Sequence, residues 1–144
     1  MNIVKNIALT LSLIALAIGA QAKPVQPDHV YMFGFSASFK DATIYITDIQ
    51  DVKGAWIDNK SQFLLSRDNY SFQLKEYFTE KMQQPDRVCM VFYATTQAQA
   101  EKLMKKLMKK YVPTAKKKGS AEPYDIRQLT TTDFQFTPID MSPE

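Results

Sequence analysis

Three kinds of side chain in this sequence have the chemistry for catalysis: a single histidine, a single cysteine and a group of aspartates. A Ser-His-Asp or Cys-His site needs a nucleophile beside its base, and no nucleophile neighbours His29 in the chain. We therefore expect His29 to face solvent. Cys89 lies inside an apolar run, which favours a buried, reduced thiol over a catalytic thiolate. As the only cysteine, it has no intramolecular disulfide partner.

The aspartates Asp48, Asp51 and Asp58 precede and follow Trp56. Paired carboxylates are the chemistry of glycoside hydrolysis, so a small hydrolase of the cell envelope is one alternative. Turn and strand-edge acids explain the same residues equally well. Their spacing does not match a calcium loop, and one histidine with one cysteine cannot form an ordinary zinc site. We predict no catalytic residue, no metal and no cofactor, and lean against an enzyme.

Positive charge is concentrated in one segment, Glu101 to Lys118, which holds eight lysines and one acid. Five of these lysines fall on one side of a predicted helix and are called the lysine face: Lys102, Lys105, Lys106, Lys109 and Lys110. Three more belong to a basic loop, residues 115–123, that is predicted to be mobile: Lys116, Lys117 and Lys118. These eight lysines are the main candidate binding residues.

A basic surface of this kind fits an anionic envelope surface, such as phospholipid headgroups or acidic glycans, or an acidic patch on another protein. The alternative is a solvated helix side that only keeps the protein soluble. Nucleic acid is not a predicted partner, because the segment has no arginine and no aromatic residue spaced for stacking between its lysines. Trp56, near Tyr31 and Tyr45 in sequence, is a further candidate, as a platform for a sugar or peptide or as a core residue.

The lysines are positioned by a strand followed by a helix. Every residue from Val88 to Ala94 is apolar or aromatic, which is typical of a central strand covered on both faces. Thr96 and Gln99 then match a capping box, so a helix is predicted to start there. At about 100° per residue, its apolar side chains gather opposite the lysine face: Ala100, Leu103, Met104, Leu107, Met108 and Tyr111.

The stretch FYATTQAQAEKL, residues 92–103, resembles the SPOR domains that bind peptidoglycan in bacterial envelopes. The likeness extends over about two dozen residues and to the order of elements, and it lacks an internal duplication. It implies a second alternative function, a SPOR-like glycan-binding module.

Residues 1–22 are predicted to be a cleaved signal peptide. Lys5 precedes an apolar core from Ile7 to Ile18, and Ala20-Gln21-Ala22 has the form that signal peptidase accepts. The core is too short to span a bilayer comfortably, although an uncleaved anchor is the alternative. We therefore expect an exported protein, periplasmic or secreted, with no transmembrane segment after cleavage.

Residues 23–29 are predicted to be an extended leader, 30–139 one domain and 140–144 a disordered tail. Alternating side chains predict a hairpin from two strands, one from Val30 to Ser38 and one from Thr43 to Thr47. Gly34, inside the first strand, marks a bulge or a close approach by another group. A helix is predicted from Asn69 to Gln83, capped by Asp68 or Asn69. Strands are expected at Tyr124 to Leu129 and at Phe134 to Ile139.

These elements have the order ββαβαβ. They predict a two-layer α+β fold, a mostly antiparallel sheet of four to six strands with two helices packed on one face. The expected function is that of a small, non-catalytic binding or accessory protein of the bacterial cell envelope.

Overall fold

The described part of the chain has an α+β fold with two helices and mostly antiparallel sheets, as expected. The structure is a computed structural model that describes residues 22–112 and 124–144. Its strands are β1 (Pro24–Val25), β2 (Tyr31–Ala37), β3 (Thr43–Thr47), β4 (Gln50–Asp51), β5 (Ile57–Asp58), β6 (Val88–Ala94) and β7 (Asp125–Leu129). Its helices are α1 (Arg67–Glu80) and α2 (Gln97–Met108).

Two predictions concern residues that the structure does not describe. The signal peptide, up to residue 21, and the basic loop with Lys116, Lys117 and Lys118 lie outside the described residues. Within the described ranges, neither helix is long and apolar enough to cross a membrane. Part of the predicted leader is a short strand, because β1 pairs with β5 in a small second sheet.

The main sheet has the order β6-β2-β3-β7, with β4 pairing to β2 on the same side as β3. β2 is the central strand and pairs with β6 along its whole length, from Tyr31↔Ala94 to Ala37↔Val88. The predicted β2–β3 hairpin is confirmed. The only parallel pair is β3 with β7 among the described strands.

The prediction that β6 is a central strand was wrong. Among the described strands β6 pairs only with β2, so it is an edge strand. Its Val88 and Met90 side chains are 47% and 44% exposed. The run is apolar throughout because a helix packs on each face of the sheet at β6, and this does not require a second neighbouring strand.

The two helices lie on opposite faces of the sheet, so their predicted placement on one face was also wrong. On the first face, the rings of Tyr45 and Phe78, which belongs to α1, are 5.0 Å apart. On the second face, Phe35 contacts Tyr111, three residues beyond α2, with ring centroids 5.1 Å apart. Ser36 pairs with Tyr45, so Phe35 points to the opposite side of β2.

Helix α1 buries the predicted apolar side chains Tyr70, Leu74 and Phe78. It starts at Arg67, and neither Asp68 nor Asn69 caps it. The cap is Ser66, in a left-handed conformation with φ 61° and no side-chain cap bond. Asn69 instead donates its side-chain amide to Ser66 Oγ at 2.6 Å.

The segment predicted as a strand from Phe134 to Ile139 forms none. Phe134 and Phe136 are buried as a strand pattern would predict, but the buried side chain of Gln50 takes the place of a neighbouring strand. Its amide donates to the carbonyl of Phe134 at 2.9 Å and accepts from the N–H of Phe136 at 2.8 Å. Apolar alternation reports burial and does not identify the hydrogen-bond partner.

Of the two alternatives predicted for Gly34, the structure shows a close approach, and the register between β2 and β6 runs through Gly34 without a bulge. A Cβ atom placed on Gly34 would lie 2.5 Å from Cδ2 of Leu74 on α1. Thr47 and Phe136 side-chain atoms would each lie 3.3 Å away. Only glycine allows α1 to pack this closely on β2.

Substitution of Gly34 by alanine is therefore expected to lower the free energy of unfolding by about 1–3 kcal/mol through overpacking. In a Leu74→Ala background the Cδ2 atom is gone, and the same change should cost much less. Urea unfolding of the two single variants and the double variant measures this coupling. Strictly additive losses would contradict the packing described here.

Candidate functional site

The lysine face is exposed as predicted. The opposite side of α2 packs on the sheet, and this contact sets the orientation of the helix about its own axis. Thr96 caps the helix, its hydroxyl accepting from the N–H of Gln99 at 3.3 Å. Ala100 has no exposed surface. All five lysines of the lysine face are exposed. In residues 22–112 and 124–144, no salt bridge joins any of them to an acid.

The apolar side of α2 is only partly covered. Met104, Leu107 and Met108 are half-buried, whereas Leu103 is 37% exposed. Leu103 is on the apolar side of α2, as its spacing predicts, and lines a cavity together with Tyr93 and Ala94 at the end of β6.

A cavity of about 560 Å³ opens at this edge and is called the edge groove. Its walls come from α2, from the end of β6 and from the loop before α1. The lining residues are Gln62, Tyr93, Ala94, Thr95, Gln99, Lys102, Leu103 and Lys106. The groove thus has apolar surface between two lysines and two side-chain amides, and the sequence analysis did not find it.

The backbone groups of β6 alternate between β2 and the open edge. The N–H of Gly34 donates to Thr47 Oγ1 at 2.8 Å, away from β6, so the pair Gly34↔Val91 is not hydrogen-bonded. The carbonyl of Val91 faces the edge and accepts from Nε and Nη2 of Arg67 at 2.9 and 2.6 Å. By the same alternation, the N–H and C=O of Tyr93 also face the edge.

Side chains of α1 cover part of this edge. Besides Arg67, Lys75 donates its ammonium to the carbonyl of Arg87, just before β6, at 3.0 Å. Cations on an edge strand protect it from pairing with other chains. Tyr93, which lies in the edge groove, has no backbone hydrogen-bond partner on the edge side among the described residues.

Asp48, Asp51 and Asp58 each bond to a different partner, and no contact among the described residues joins two of these carboxylates. The carboxylate of Asp48 accepts from the side-chain amide of Gln128. Asp51 Oδ2 lies 2.8 Å from Nδ1 of His29. No serine or cysteine hydrogen-bonds to His29 in the part of the chain that the structure describes.

Asp58 closes a turn. Its carboxylate accepts from the N–H of Ser61 at 2.9 Å and of Lys60 at 2.8 Å. These two bonds hold the pKa of Asp58 below its ordinary value. An acid kept ionised in this way suits a turn better than proton transfer. Within the described ranges, no group of three or more histidine, cysteine or acidic residues is placed to hold a metal ion.

Arg87 is a buried charge that sequence reasoning missed. Its side chain is 2% exposed and lies over the rings of Tyr45 and Phe78, 4.7 and 5.5 Å from their centroids. Its donors bond to polar groups of the β2–β3 hairpin and of the loop before β6: Ser36 Oγ, Ser36 O, Thr43 O, Asp41 and Gln84. With every nitrogen engaged, the guanidinium joins the hairpin to β6 and has no donor group left for a ligand.

Trp56 lies away from the lysine face. It is half-buried and lines a shallow cavity of about 420 Å³ with Gly54 and Pro138. None of the residues lining this cavity also lines the edge groove. Trp56 therefore shares no cavity with Lys102 or Lys106, the two lysines that line the edge groove.

Cys89 is half-buried and its Sγ atom lies 3.7 Å from Ser36 Oγ. Burial raises the pKa of the Cys89 thiol above its ordinary value, more than the Ser36 hydrogen bond and the charges of Lys75 and Arg87 lower it. A thiol with a raised pKa has a smaller thiolate fraction at neutral pH and is a poor nucleophile.

Alkylation of native Cys89 by iodoacetamide at pH 8 should therefore be slow, at least about tenfold slower than that of an exposed thiol. The matched control moves the thiol to the exposed neighbouring position, in the variant Cys89→Ser with Met90→Cys. Mass spectrometry over time gives both rates. Equal rates would contradict the buried state of Cys89.

No family model, curated protein or solved structure matches this chain. The resemblance to SPOR domains stays a prediction from residues 92–103. Function is therefore inferred from the lysine face and the edge groove.

Proposed function

We propose that this protein is an exported, non-catalytic binding module of the bacterial cell envelope, and that the lysine face contacts an anionic partner. One observation carries the proposal: five exposed lysines, on one side of a capped helix and of the turn that follows it, have no acidic partner among the described residues. Export is supported by the predicted signal peptide, with its apolar core and its small residues before Lys23.

The spacing of the lysines favours binding over a role in solubility alone. Lys102 and Lys106 are four residues apart on α2. The pairs Lys105 and Lys109, and Lys106 and Lys110, continue this spacing into the turn that follows Met108. Like charges at this spacing destabilise a helix by about 0.2–0.5 kcal/mol per pair. A helix side that served only to keep the protein soluble would gain stability from interspersed acids. Concentrated positive charge is instead suited to attract an anionic partner.

The interaction should depend on salt. Exposed charges are screened over a Debye length of about 10 Å at 0.1 M ionic strength. Attraction between the lysine face and an anionic surface should thus be strong at low salt and weaken steeply above physiological ionic strength. The proposal needs no cofactor and no chemical step.

Charge reversal at Lys102, Lys106 and Lys109 should leave the fold intact, because all three side chains are exposed. It should abolish salt-sensitive retention of the mature protein on phosphatidylglycerol vesicles and on purified cell-wall material. Co-sedimentation at increasing salt measures retention, and circular dichroism confirms folding.

The matched control reverses three exposed lysines elsewhere, Lys53, Lys60 and Lys81, and changes the net charge by the same amount. Its retention should stay close to that of the wild type. Equal losses in both variants would mean that net charge alone acts, and no retention of the wild type at low salt would remove the proposal.

A further inference from the structure

We propose that the edge groove binds an extended peptide that carries apolar and acidic residues, by adding it as a strand beside β6. The inference rests on the proposed function, since Lys102 and Lys106 of the lysine face line the groove. It goes further by naming the partner as a peptide and by placing its backbone.

The backbone of Tyr93 supplies the first argument. Its N–H and C=O both face the open edge, and neither has a partner there among the described residues. One residue of an added antiparallel strand can exchange two hydrogen bonds with such a residue. Addition of a strand to a free sheet edge is a common mode of peptide recognition.

The position of Arg67 limits where the strand can be added. Its guanidinium donates two hydrogen bonds to the carbonyl of Val91. An added strand therefore cannot pair with that carbonyl in the middle of β6. The N–H and C=O of Tyr93 remain open, and both Tyr93 and Ala94 line the edge groove. The free backbone groups and the cavity therefore coincide.

Side chains around the groove define the sequence that fits. Facing residues in a β-pair point to the same side of the sheet, so the residue added opposite Ala94 points toward α2. There it meets Leu103, which is 37% exposed and would be buried by an apolar side chain. Acidic residues beside this apolar residue of the peptide would be attracted by Lys102 and Lys106, which have no acidic partner among the described residues.

Other occupants use fewer of these features. A phospholipid headgroup or an acidic sugar would satisfy the two lysines and leave the backbone groups of Tyr93 unpaired. A second copy of this chain paired edge to edge at β6 would bring Lys102 and Lys106 of both copies together, and the like charges would repel. A peptide with carboxylates satisfies the lysines, Leu103 and the Tyr93 backbone at once.

The experiment selects peptides from a phage-displayed random library on the immobilised mature protein. Selected sequences should share an apolar residue flanked by aspartate or glutamate. The best peptide is then synthesised with a fluorescent label, and its affinity is measured by fluorescence anisotropy. N-methylation of the one residue that pairs with Tyr93 should weaken binding by at least about tenfold, and N-methylation of the next residue should have little effect.

The variants separate the groove from the charge. Leu103→Glu and the double variant Lys102→Glu with Lys106→Glu should each weaken peptide binding by at least about tenfold. The matched control, Lys53→Glu with Lys60→Glu, should bind as the wild type does. Thermal unfolding followed by circular dichroism confirms that each variant is folded.

The results that would overturn the inference are specific. They are the absence of selected peptides, selected peptides without acids, or binding that tolerates N-methylation at every position. If the protein is still retained on anionic vesicles through the lysine face, this inference alone fails and the proposed function stands. If Leu103→Glu abolishes peptide binding and leaves vesicle retention unchanged, the peptide site is confirmed as distinct from general attraction to anions.

Discussion

Two connections in this chain join parallel strands and travel in opposite directions across the sheet. The first leads from β3 to β6 by way of α1, and the second leads from β6 to β7 by way of α2. Crossover connections between parallel strands of one sheet are almost always right-handed. Two right-handed connections that cross the sheet in opposite directions must pass over opposite faces. The helices lie on opposite faces, as this constraint requires. The rest of the structure follows from it, because each helix then borders the β6 edge from its own side of the sheet.

The edge of β6 is thus enclosed between two helices of different character. On one side, α1 places Arg67 on the carbonyl of Val91 and Lys75 on the carbonyl of Arg87. On the other side, α2 presents Leu103 and the lysine face, and leaves Tyr93 uncovered. An edge strand with free backbone groups is a hazard for aggregation unless it is protected. Here the cations of α1 contact the carbonyls of Arg87 and Val91 and none contacts the backbone of Tyr93 among the described residues. The groove there is basic, so it disfavours a second copy of the same chain.

Local features of this fold could be predicted from the sequence, and relations between distant elements could not. Thr96, Gln99 and the apolar spacing that includes Ala100 specify α2, because a cap and a helical period are local properties. Gly34 indicated either a bulge or a close approach, and the sequence did not identify Leu74 as the neighbour. The edge position of β6 was not predicted, because an apolar run indicates that both faces of a strand are covered and does not indicate how many strands pair with it. Arg87 gave no signal, because its partners Ser36 and Thr43 are far away in the chain. The lysine face was predicted, whereas the edge groove depends on the tertiary placement of α2 against β6.

The proposed binding site requires that one edge of β6 is not paired with another strand. Amide hydrogen exchange followed by nuclear magnetic resonance measures this directly. The amides of Met90 and Phe92 bond to β2 and should exchange slowly, with protection that reflects global stability. The amides of Val91 and Tyr93 face the open edge and should exchange faster by at least about tenfold. This alternation of slow and fast amides along one strand is expected for an edge strand. Uniform protection from Cys89 to Tyr93 would mean that both sides of β6 are paired, and would contradict the edge, the groove and the peptide site together.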